Sequence, residues 1–352
     1  MIPVKSYAAF DTSSPLRPYE FCRRDPGTTD VLVDILFCGI CHTDIHQARD
    51  EWGGSIYPMV PGHEIVGRVA ATGTGAIKFR PGDAVAIGPL IDSCRVCPTC
   101  TEHLEQYCIE GYTGAQNGYL RDGKTIAQGG YATKIVIDER FVHRVPPGMD
   151  LKAVAPLLCA GITTYSPLRH AGVTKGTRVG VLGLGGLGHL GVKFAASFGA
   201  EVTAFSTSAS KEEKARRWGA CQFVLTTDQE QMAQNDSQFD VLLDTISGDH
   251  DYEKYLDLLA LDGVMIIVGI PPRNPQVKLF SLMKNRRRIL GGTIGGTKET
   301  QAMLDYCAEN NILADVELIS IDEVNAAYER LLKGDVDHRF VIDLDSLRQP
   351  AE

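Results

Sequence analysis

The run Arg178-Val-Gly-Val-Leu-Gly-Leu-Gly-Gly-Leu-Gly188 places four glycines directly after a short apolar segment. Arg178–Leu182 predicts a strand, and the apolar spacing of Gly191–Ser197 predicts a helix behind the glycines. In this context Gly183 permits a tight turn, Gly185 lets the backbone approach a diphosphate, and Gly188 lets helix and strand pack closely. A diphosphate would then rest on the N-terminus of the helix. The run therefore predicts a dinucleotide-binding turn, with Gly186 and Leu187 completing the loop.

The alternation of strand and helix continues on the C-terminal side of this turn. Strands are predicted at Ala200–Phe205, Phe239–Asp244 and Val264–Gly269. Helices are predicted at Ser210–Trp218 and Tyr252–Leu261. Such alternation indicates a parallel, doubly wound sheet, so the fold class is α/β.

The rest of the chain has a different texture. Up to about residue 150, short β-branched runs such as Val31–Phe37, Ile65–Ala70 and Ala84–Ile87 alternate with turn signals, which favours an irregular β-barrel or sandwich. The tail predicts two helices, Lys298–Asn310 and Ile321–Lys333, and then a strand. Arg286–Arg288 is interpreted as solvated surface.

Composition limits the kinds of partner. The 352 residues include 35 Lys and Arg against 44 Asp and Glu, a net charge of −9, which disfavours nucleic acid and membrane surfaces as partners. The longest apolar stretch, Val179–Ala200, contains seven glycines and is unlike a membrane-spanning helix. With no signal-peptide pattern in Met1–Ser14, we expect a cytoplasmic protein. In that reducing compartment, clustered cysteines indicate metal ligands or catalytic groups.

Four cysteines lie close together in Cys94-x2-Cys97-x2-Cys100-x7-Cys108. Four thiolates at this spacing can close around one tetrahedral Zn2+ and leave no open position, which makes the site structural. A loop of unpaired thiols is one alternative. An iron–sulfur cluster is the other, although cluster motifs generally continue with a different spacing.

A second group of metal-binding residue types is dispersed along the chain: Cys41, His63, Glu64 and Cys159. A catalytic zinc takes about three protein ligands and keeps one exchangeable position, which two cysteines and one histidine would satisfy. Spacing alone leaves the alternative open that these are packing residues.

Cofactor preference is predicted from the end of the strand after the glycine turn. NAD sites usually carry Asp or Glu there, which binds the ribose 2′-hydroxyl, whereas this chain has Ser206-Thr207-Ser208 followed by Lys211. Hydroxyls and an ammonium group suit a 2′-phosphate, so we expect NADP(H). The alternative is that Lys211 is a solvated residue in the first turn of the next helix.

Taken together, these motifs resemble the zinc-containing medium-chain alcohol dehydrogenases, in particular the cinnamyl-alcohol-dehydrogenase-like, NADPH-dependent aldehyde reductases. The resemblance runs from about Asp30 to Asp343 and rests on the glycine turn, the four-cysteine lobe and three segments: Cys38–His46, Pro61–Glu64 and Pro156–Tyr165. It implies a GroES-like, irregular β-barrel catalytic domain formed by residues 1–155 and 298–352. A Rossmann domain of residues 156–297 would bind the cofactor, and the two domains would form a cleft.

The resemblance also implies roles for single residues. Cys41, His63 and Cys159 would bind the catalytic zinc, with Glu64 beside the metal and able to replace its water. Asp44 would hydrogen-bond His63. Thr43, the cofactor ribose and His46 would deliver a proton to the product oxygen, and His42 would lie near the cofactor diphosphate.

For the substrate pocket, the resemblance suggests an apolar wall made of Trp52, Leu90, Tyr112 and Ile294. Ordinary loop packing is an equally good interpretation of Trp52 and Tyr112. Such a wall suits aromatic and medium-chain aliphatic aldehydes, reduced reversibly to primary alcohols. The resemblance further suggests a homodimer joined at an edge strand near Val264–Gly269 or its neighbour.

Other functions remain as alternatives at this stage. A specialised biosynthetic NADPH reductase would carry the same motifs. A polyol dehydrogenase of the same superfamily commonly has a carboxylate as third zinc ligand and prefers NAD, so Cys159 and Ser206 count against it. A zinc-free quinone reductase would lack Cys41, His63 and the four-cysteine lobe. A non-catalytic cofactor-binding protein has no chemical reason to keep the whole ligand and relay set.

Overall fold

The computed structural model describes residues 1–271, 273, 275–334 and 339–348. The chain divides into two compact units, Met1–Cys159 with Gly295–Glu352, and Ala160–Ile294. The chain passes from the first unit to the second four residues after the predicted boundary at 155, because the helical turn Ala155–Leu158 is buried and belongs to the first unit. The second unit ends at Ile294, three residues before the predicted boundary at 297.

Within the described residues, six parallel strands form the sheet of the second unit, confirming the predicted doubly wound α/β fold. Their spatial order is β14-β13-β12-β15-β16-β17, the 3-2-1-4-5-6 order of dinucleotide-binding folds. The strands are β12 (Arg178–Leu182), β13 (Glu201–Ser206), β14 (Gln222–Leu225), β15 (Phe239–Asp244), β16 (Leu259–Ile267) and β17 (Arg288–Gly291). The central strands β12, β13 and β15 are almost continuously buried, as is typical of parallel strands covered on both faces.

The helices of this unit are α4 (Ala160–His170), α5 (Gly188–Ser197), α6 (Glu212–Arg217), α7 (Gln229–Ala233), α8 (Tyr252–Leu256) and α9 (Leu279–Met283). The predicted helix Tyr252–Leu261 is wrong in its second half. The helix ends at Leu256, and Leu259 already pairs with Phe239 in the sheet. The strand predicted at Val264–Gly269 lies inside the sheet, and its neighbour β17 forms the edge.

A mixed sheet organises the first unit. The strands of this unit are β1 (Ile2–Ala8), β2 (Arg17–Arg23), β3 (Asp30–Gly39), β4 (Ile65–Thr72), β5 (Ala84–Ile87), β6 (Leu90–Asp92), β7 (Thr113–Gly114), β8 (Gly118–Tyr119), β9 (Ile126–Ala127), β10 (Lys134–Asp138), β11 (His143–Arg144), β18 (Val316–Ser320) and β19 (Arg339–Asp343). The mixed sheet has the order β11-β5-β4-β3-β19-β18, and β10 also pairs with β3. The sheet positions Cys38 and Ile65 opposite each other, beside the segments that carry the candidate ligands.

Five helices belong to the first unit: α1 (His42–Ala48), α2 (Pro98–Thr101), α3 (Leu151–Val154), α10 (Thr297–Asn310) and α11 (Val324–Leu332), counted over the described residues. The predicted tail helix Ile321–Lys333 begins with a 3-10 turn, Ile321–Glu323. Among the described residues, no helix has the length and apolar character needed to cross a membrane.

The interpretation of Arg286–Arg288 as solvated surface is wrong at its middle residue. The Arg287 side chain is fully buried. Its guanidinium donates to the Asp257 carboxylate at 2.9 Å and to the backbone carbonyls of Asp257 and Leu259 at 3.1 and 3.2 Å. Arg287 therefore fixes the turn between α8 and β16, a buried role that pairing and hydrogen bonds make possible.

His143 on β11 makes stability depend on pH. Its side chain is buried, its Nδ1 has no partner among the described residues, and burial together with Lys78 lowers its pKa to about 3. An unfolded histidine takes up a proton near pH 6.5, so His143 favours unfolding increasingly as the pH falls below that value. At pH 5 this linkage amounts to about 2 kcal/mol.

We therefore expect the melting temperature of the wild type to fall by a few degrees more than that of His143→Gln between pH 7.5 and pH 5. The comparison of slopes removes any constant cost of the substitution. If the melting temperatures of the two proteins fall equally between pH 7.5 and pH 5, His143 does not take up a proton on unfolding as described.

Candidate metal and cofactor sites

The dispersed ligand candidates converge in the first unit. Cys41 precedes α1, His63 and Glu64 precede β4, and Cys159 follows the turn Ala155–Leu158. One potential ligand atom from each lies within 4.8 Å of all the others. The Sγ atoms of Cys41 and Cys159 are 3.9 Å apart. Two thiols, an imidazole and a carboxylate in this arrangement form a donor set that fits zinc.

Burial and mutual interactions shift the pKa values of the groups in this set. The Cys159 thiol, with His63 and Arg339, lowers the pKa of the Cys41 thiol well below its usual value, which favours the metal-binding thiolate. Burial raises the pKa of Glu64 to about 7, against the opposing attraction of Arg339. The Arg339 guanidinium bonds Glu64 Oε1, while Glu64 Oε2 has no partner among the described residues. A bound cation would satisfy such a buried oxygen.

Asp44 holds the ligand segments together. Its carboxylate is fully buried and accepts hydrogen bonds from Cys41 N at 2.9 Å, Gly62 N at 3.1 Å and His63 Nδ1 at 3.0 Å. The hydrogen bond expected between Asp44 and His63 is therefore present. It leaves His63 Nε2 as the nitrogen available to a metal.

The expected proton-relay residues lie on α1. No hydrogen bond joins Thr43 to His46 in the part of the chain that the structure describes. His46 Nδ1 contacts the Glu51 carboxylate, and its ring lies 4.9 Å from the Trp52 ring, centroid to centroid. The rings of His42 and His46 are 6.2 Å apart, since they are one helical turn apart on the same face.

The predicted pocket residues divide between the two units. Tyr112 is 43% exposed, and partial burial of its side chain raises the pKa of its hydroxyl. Trp52 is half exposed and lies against His46. Leu90 begins β6 in the first unit, and Ile294 ends the second. The pocket roles of Trp52, Leu90, Tyr112 and Ile294 all stay predictions.

The four-cysteine lobe forms a second thiol cluster. Single sulfur atoms of Cys94, Cys97, Cys100 and Cys108 all lie within 4.8 Å of one another. Backbone amides of Cys94 and Cys97 donate to the sulfurs of Cys108 and Cys94 at 3.4 and 3.3 Å. The Thr99 hydroxyl, with backbone amides, lowers the pKa of Cys97 to about 5. Four thiol groups at these separations form a donor set that fits a closed tetrahedral zinc.

The glycine turn of the second unit is shaped for a diphosphate. Gly183 has a φ of +83°, and a Cβ on Gly188 would lie 1.9 Å from the Gly183 carbonyl oxygen, so neither position accepts a side chain. A Cβ on Gly185 would meet no atom within 4 Å, which leaves its backbone open to a ligand. Helix α5 begins at Gly188, so its N-terminus points at this opening.

The predicted 2′-phosphate residues follow β13. Ser206 ends the strand, and its hydroxyl accepts a hydrogen bond from Ser208 N at 3.1 Å. Thr207 is exposed. Lys211 Nζ donates to the carbonyl of Leu184 at 3.0 Å, so the ammonium group lies over the glycine turn. Because of this hydrogen bond to Leu184, the Lys211 side chain is not simply solvated, which was the alternative interpretation.

Two residues near the ligand set escaped the sequence reasoning. Arg339 at the start of β19 binds Glu64, 275 residues away, and the Tyr131 hydroxyl donates to Asp44 Oδ2 at 3.2 Å. An arginine at the start of a predicted strand and a tyrosine between β-rich segments carry no spacing signal. The Gly129-Gly130 pair before Tyr131 was the one available hint of a close backbone approach.

Two family models match the chain. Residues 27–147 match the alcohol dehydrogenase GroES-like domain, and residues 186–309 match the zinc-binding dehydrogenase model. Aldehyde reductase YahK of Escherichia coli strain K12 is 48% identical over 97% of this chain and 98% of its own. NADP-dependent alcohol dehydrogenase C of Mycobacterium bovis is 47% identical over 99% and 100%. The crystal structure of a Helicobacter pylori cinnamyl alcohol dehydrogenase with NADP(H) superimposes with a TM-score of 0.92, at 40% identity over 98% and 99% of the two chains.

Proposed function

The chain belongs to the zinc-binding alcohol dehydrogenase family, and on that premise we propose the roles of its individual residues in aldehyde reduction. The protein is an NADP-dependent, zinc-containing oxidoreductase that interconverts aldehydes and primary alcohols. The observation that carries the residue assignments is the convergence of Cys41, His63, Glu64 and Cys159 within 4.8 Å in one unit.

Cys41, His63 and Cys159 are the proposed ligands of the catalytic zinc, and the four cysteines from Cys94 to Cys108 those of the structural zinc. When bound, the catalytic zinc supplies Lewis acidity towards a carbonyl oxygen, and NADPH supplies the hydride. Asp44 fixes the tautomer of His63 by accepting its Nδ1 proton. Glu64, with one oxygen bound to Arg339, keeps a second carboxylate oxygen beside the ligands.

The product alkoxide needs a proton, which we assign to the Thr43 hydroxyl. His46, whose side chain is 23% exposed, replaces that proton from solvent through the cofactor ribose. The contact between His46 Nδ1 and Glu51 orients the imidazole for this exchange.

The cofactor assignment rests on the second unit. The glycine turn with Gly183, Gly185, Gly186, Leu187 and Gly188 receives the diphosphate. Ser206, Thr207, Ser208 and Lys211 receive the 2′-phosphate, for which hydroxyls and an ammonium group supply donors without a repelling carboxylate. We place His42 near the diphosphate.

Trp52, Leu90, Tyr112 and Ile294 are the proposed apolar wall, which suits aromatic and medium-chain aldehydes. The test compares initial rates of benzaldehyde and hexanal reduction by NADPH with rates of mannitol oxidation by NAD+ and NADP+. Aldehyde turnover that exceeds polyol turnover at least tenfold is expected. Faster polyol turnover would favour the polyol dehydrogenase alternative and overturn the proposed pocket.

We further infer a homodimer joined through the edge strand β17. The strand has one neighbour in the sheet, and exposed edges invite pairing. Large apolar side chains stand exposed on or near it: Leu279, Phe280, Met283 and Leu290. An exposed apolar cluster beside a free edge favours an isologous contact with a second copy.

Phe280→Asp is expected to convert the dimer into a monomer, because it places a charge where the side chain is 81% exposed in the single chain and apolar contact is expected in the dimer. Light scattering after size exclusion should change from twice the 38.3 kDa chain mass to that mass. Ile77→Asp, at a 91% exposed position of the first unit, is the matched control and should stay dimeric. A wild type of one chain mass would overturn this assignment.

We place the protein in the cytoplasm. None of the ten cysteines, all of which lie in the described part of the chain, forms a disulfide, and a reducing compartment preserves the thiolates that two zinc sites require. The small-molecule substrate is the only partner besides the second copy that the proposal needs.

A further inference from the structure

A buried chain of hydroxyl and carboxylate groups connects His63 with helix α11. His63 Nδ1 donates to Asp44 Oδ1 at 3.0 Å, and the Tyr131 hydroxyl donates to Asp44 Oδ2 at 3.2 Å. The Tyr328 hydroxyl then donates to the Tyr131 hydroxyl oxygen at 3.4 Å. All four side chains are at most 4% exposed, so water does not compete for these bonds.

The Asp44 carboxylate depends on Tyr131 for part of its hydrogen bonding. Oδ1 accepts from Gly62 N and His63 Nδ1, while Oδ2 accepts from Cys41 N and the Tyr131 hydroxyl. A buried carboxylate needs several donors to stay charged and fixed. Without the hydroxyl, Oδ2 keeps only Cys41 N, and the carboxylate is freer to rotate away from His63.

The backbone around Tyr131 is matched closely to the segment that carries His63. Gly129, Gly130 and Tyr131 donate their amides to Val60, Gly62 and Pro61 carbonyls at 2.7 to 2.9 Å. A Cβ on Gly62, the residue before His63, would lie 2.7 Å from the Tyr131 ring. The ring therefore packs directly on the backbone that leads into the ligand.

Tyr328 brings the C-terminal part of the chain into contact with this cluster. It lies on α11, and its ring centroid is 6.5 Å from that of Tyr131. Its hydroxyl gives the Tyr131 oxygen a donor, which leaves the Tyr131 proton directed at Asp44. A helix near the end of the chain is thus connected to a ligand near its beginning.

We propose that Tyr131, supported by Tyr328, is a positioning residue that fixes Asp44 and, through it, the imidazole of His63 for the catalytic zinc. This inference rests on the proposed function, since it takes His63 as a ligand. In the described part of the chain, neither tyrosine hydroxyl hydrogen-bonds a potential ligand atom. The expected consequence is slower loss of the metal. Groups that hydrogen-bond a ligand histidine commonly affect metal affinity 10- to 100-fold, and Tyr131 is one hydrogen bond further from the metal than Asp44.

Tyr131→Phe removes the hydroxyl and keeps the ring on Gly62. In the holoenzyme, we expect the catalytic zinc to pass to a chromogenic chelator roughly five- to tenfold faster than in the wild type. Tyr328→Phe should give the same direction with about a twofold change, because its bond is longer and further removed. The visible spectrum of the cobalt-substituted catalytic site should change in Tyr131→Phe, which a loss of global stability alone would not cause.

Tyr252→Phe is the matched control. Tyr252 is buried in the second unit and belongs to neither group of potential metal ligands, so removal of its hydroxyl should leave zinc release unchanged. The zinc of the four-cysteine lobe serves as an internal control in every variant and should leave at the wild-type rate.

The possible outcomes distinguish failure of the positioning role from failure of the proposed function. Wild-type protein that holds two zinc ions per chain, together with equal release rates in Tyr131→Phe and Tyr252→Phe, would overturn the positioning role alone. Wild-type protein without an exchangeable second zinc would overturn the proposed function and this inference together. If Tyr131→Phe does not fold, an unchanged release rate in Tyr328→Phe would overturn the connection to α11.

Discussion

Cys159→Ala is expected to lower kcat/KM for aldehyde reduction at least 1,000-fold, a loss of about 4 kcal/mol of transition-state stabilisation. The Sγ atom of Cys159 lies 3.9 Å from that of Cys41 and contributes one of three proposed protein ligands. Two remaining ligands hold zinc weakly and leave its geometry open. Zinc content, measured by atomic absorption, should fall from two ions to one per chain, while the far-UV spectrum stays that of the folded protein.

Cys307→Ala is the matched control for this variant. Cys307 is more deeply buried than Cys159, and its thiol hydrogen-bonds the Met303 sulfur at 3.6 Å on the same helix. Its replacement should retain two zinc ions and near-wild-type rates. Cys100→Ala in the lobe should instead lose the structural zinc and lower the melting temperature. If Cys159→Ala keeps both zinc ions and its activity, the assignment of the catalytic ligands is wrong.

Ser206→Asp is expected to reduce the ratio of kcat/KM with NADPH to that with NADH at least 100-fold, or about 2.7 kcal/mol. Ser206 lies at the carboxyl end of β13. Lys211, which follows it closely in sequence, donates a hydrogen bond from Nζ to the carbonyl of Leu184 in the glycine turn. A carboxylate there would repel the 2′-phosphate. It would also accept hydrogen bonds from the ribose hydroxyls of NADH. Initial rates over a range of each cofactor measure the two constants.

Thr174→Asp adds the same charge near the opposite end of the sheet, before β12 begins, and should leave the ratio unchanged. This control removes any effect of net charge on the unit. A Ser206→Asp enzyme that loses activity equally with both cofactors would indicate damage to the fold. An unchanged ratio would show that Ser206 does not lie beside the 2′-phosphate.

Local motifs could be predicted from the sequence because neighbouring residues alone determine them. Gly188 faces the Gly183 carbonyl only five residues away, and the four lobe cysteines lie within fifteen residues. In such cases spacing defines geometry. The proposed catalytic ligands are different, since Cys41 and Cys159 are 118 residues apart in sequence. Only the family resemblance predicted that they belong to one site.

Interactions that depend on the closed tertiary structure could not be predicted from the sequence. Arg339 pairs with Glu64 because β19 lies beside β3 in the mixed sheet, an adjacency that no local pattern indicates. Arg287 sits in a run of three arginines, yet it is buried because a turn 30 residues earlier offers a carboxylate and two carbonyls. Tyr131 reaches Asp44 across 87 residues. In each case the partner is supplied by the fold.

The most direct test of NADPH-dependent aldehyde reduction is the initial rate of NADPH oxidation with benzaldehyde, compared with NADH under the same conditions. The protein should first be shown to hold two zinc ions per chain. We predict rapid turnover with NADPH and at least tenfold slower turnover with NADH. Faster turnover with NADH, or none with either cofactor across aromatic and aliphatic aldehydes in protein with both zinc ions, would contradict the account.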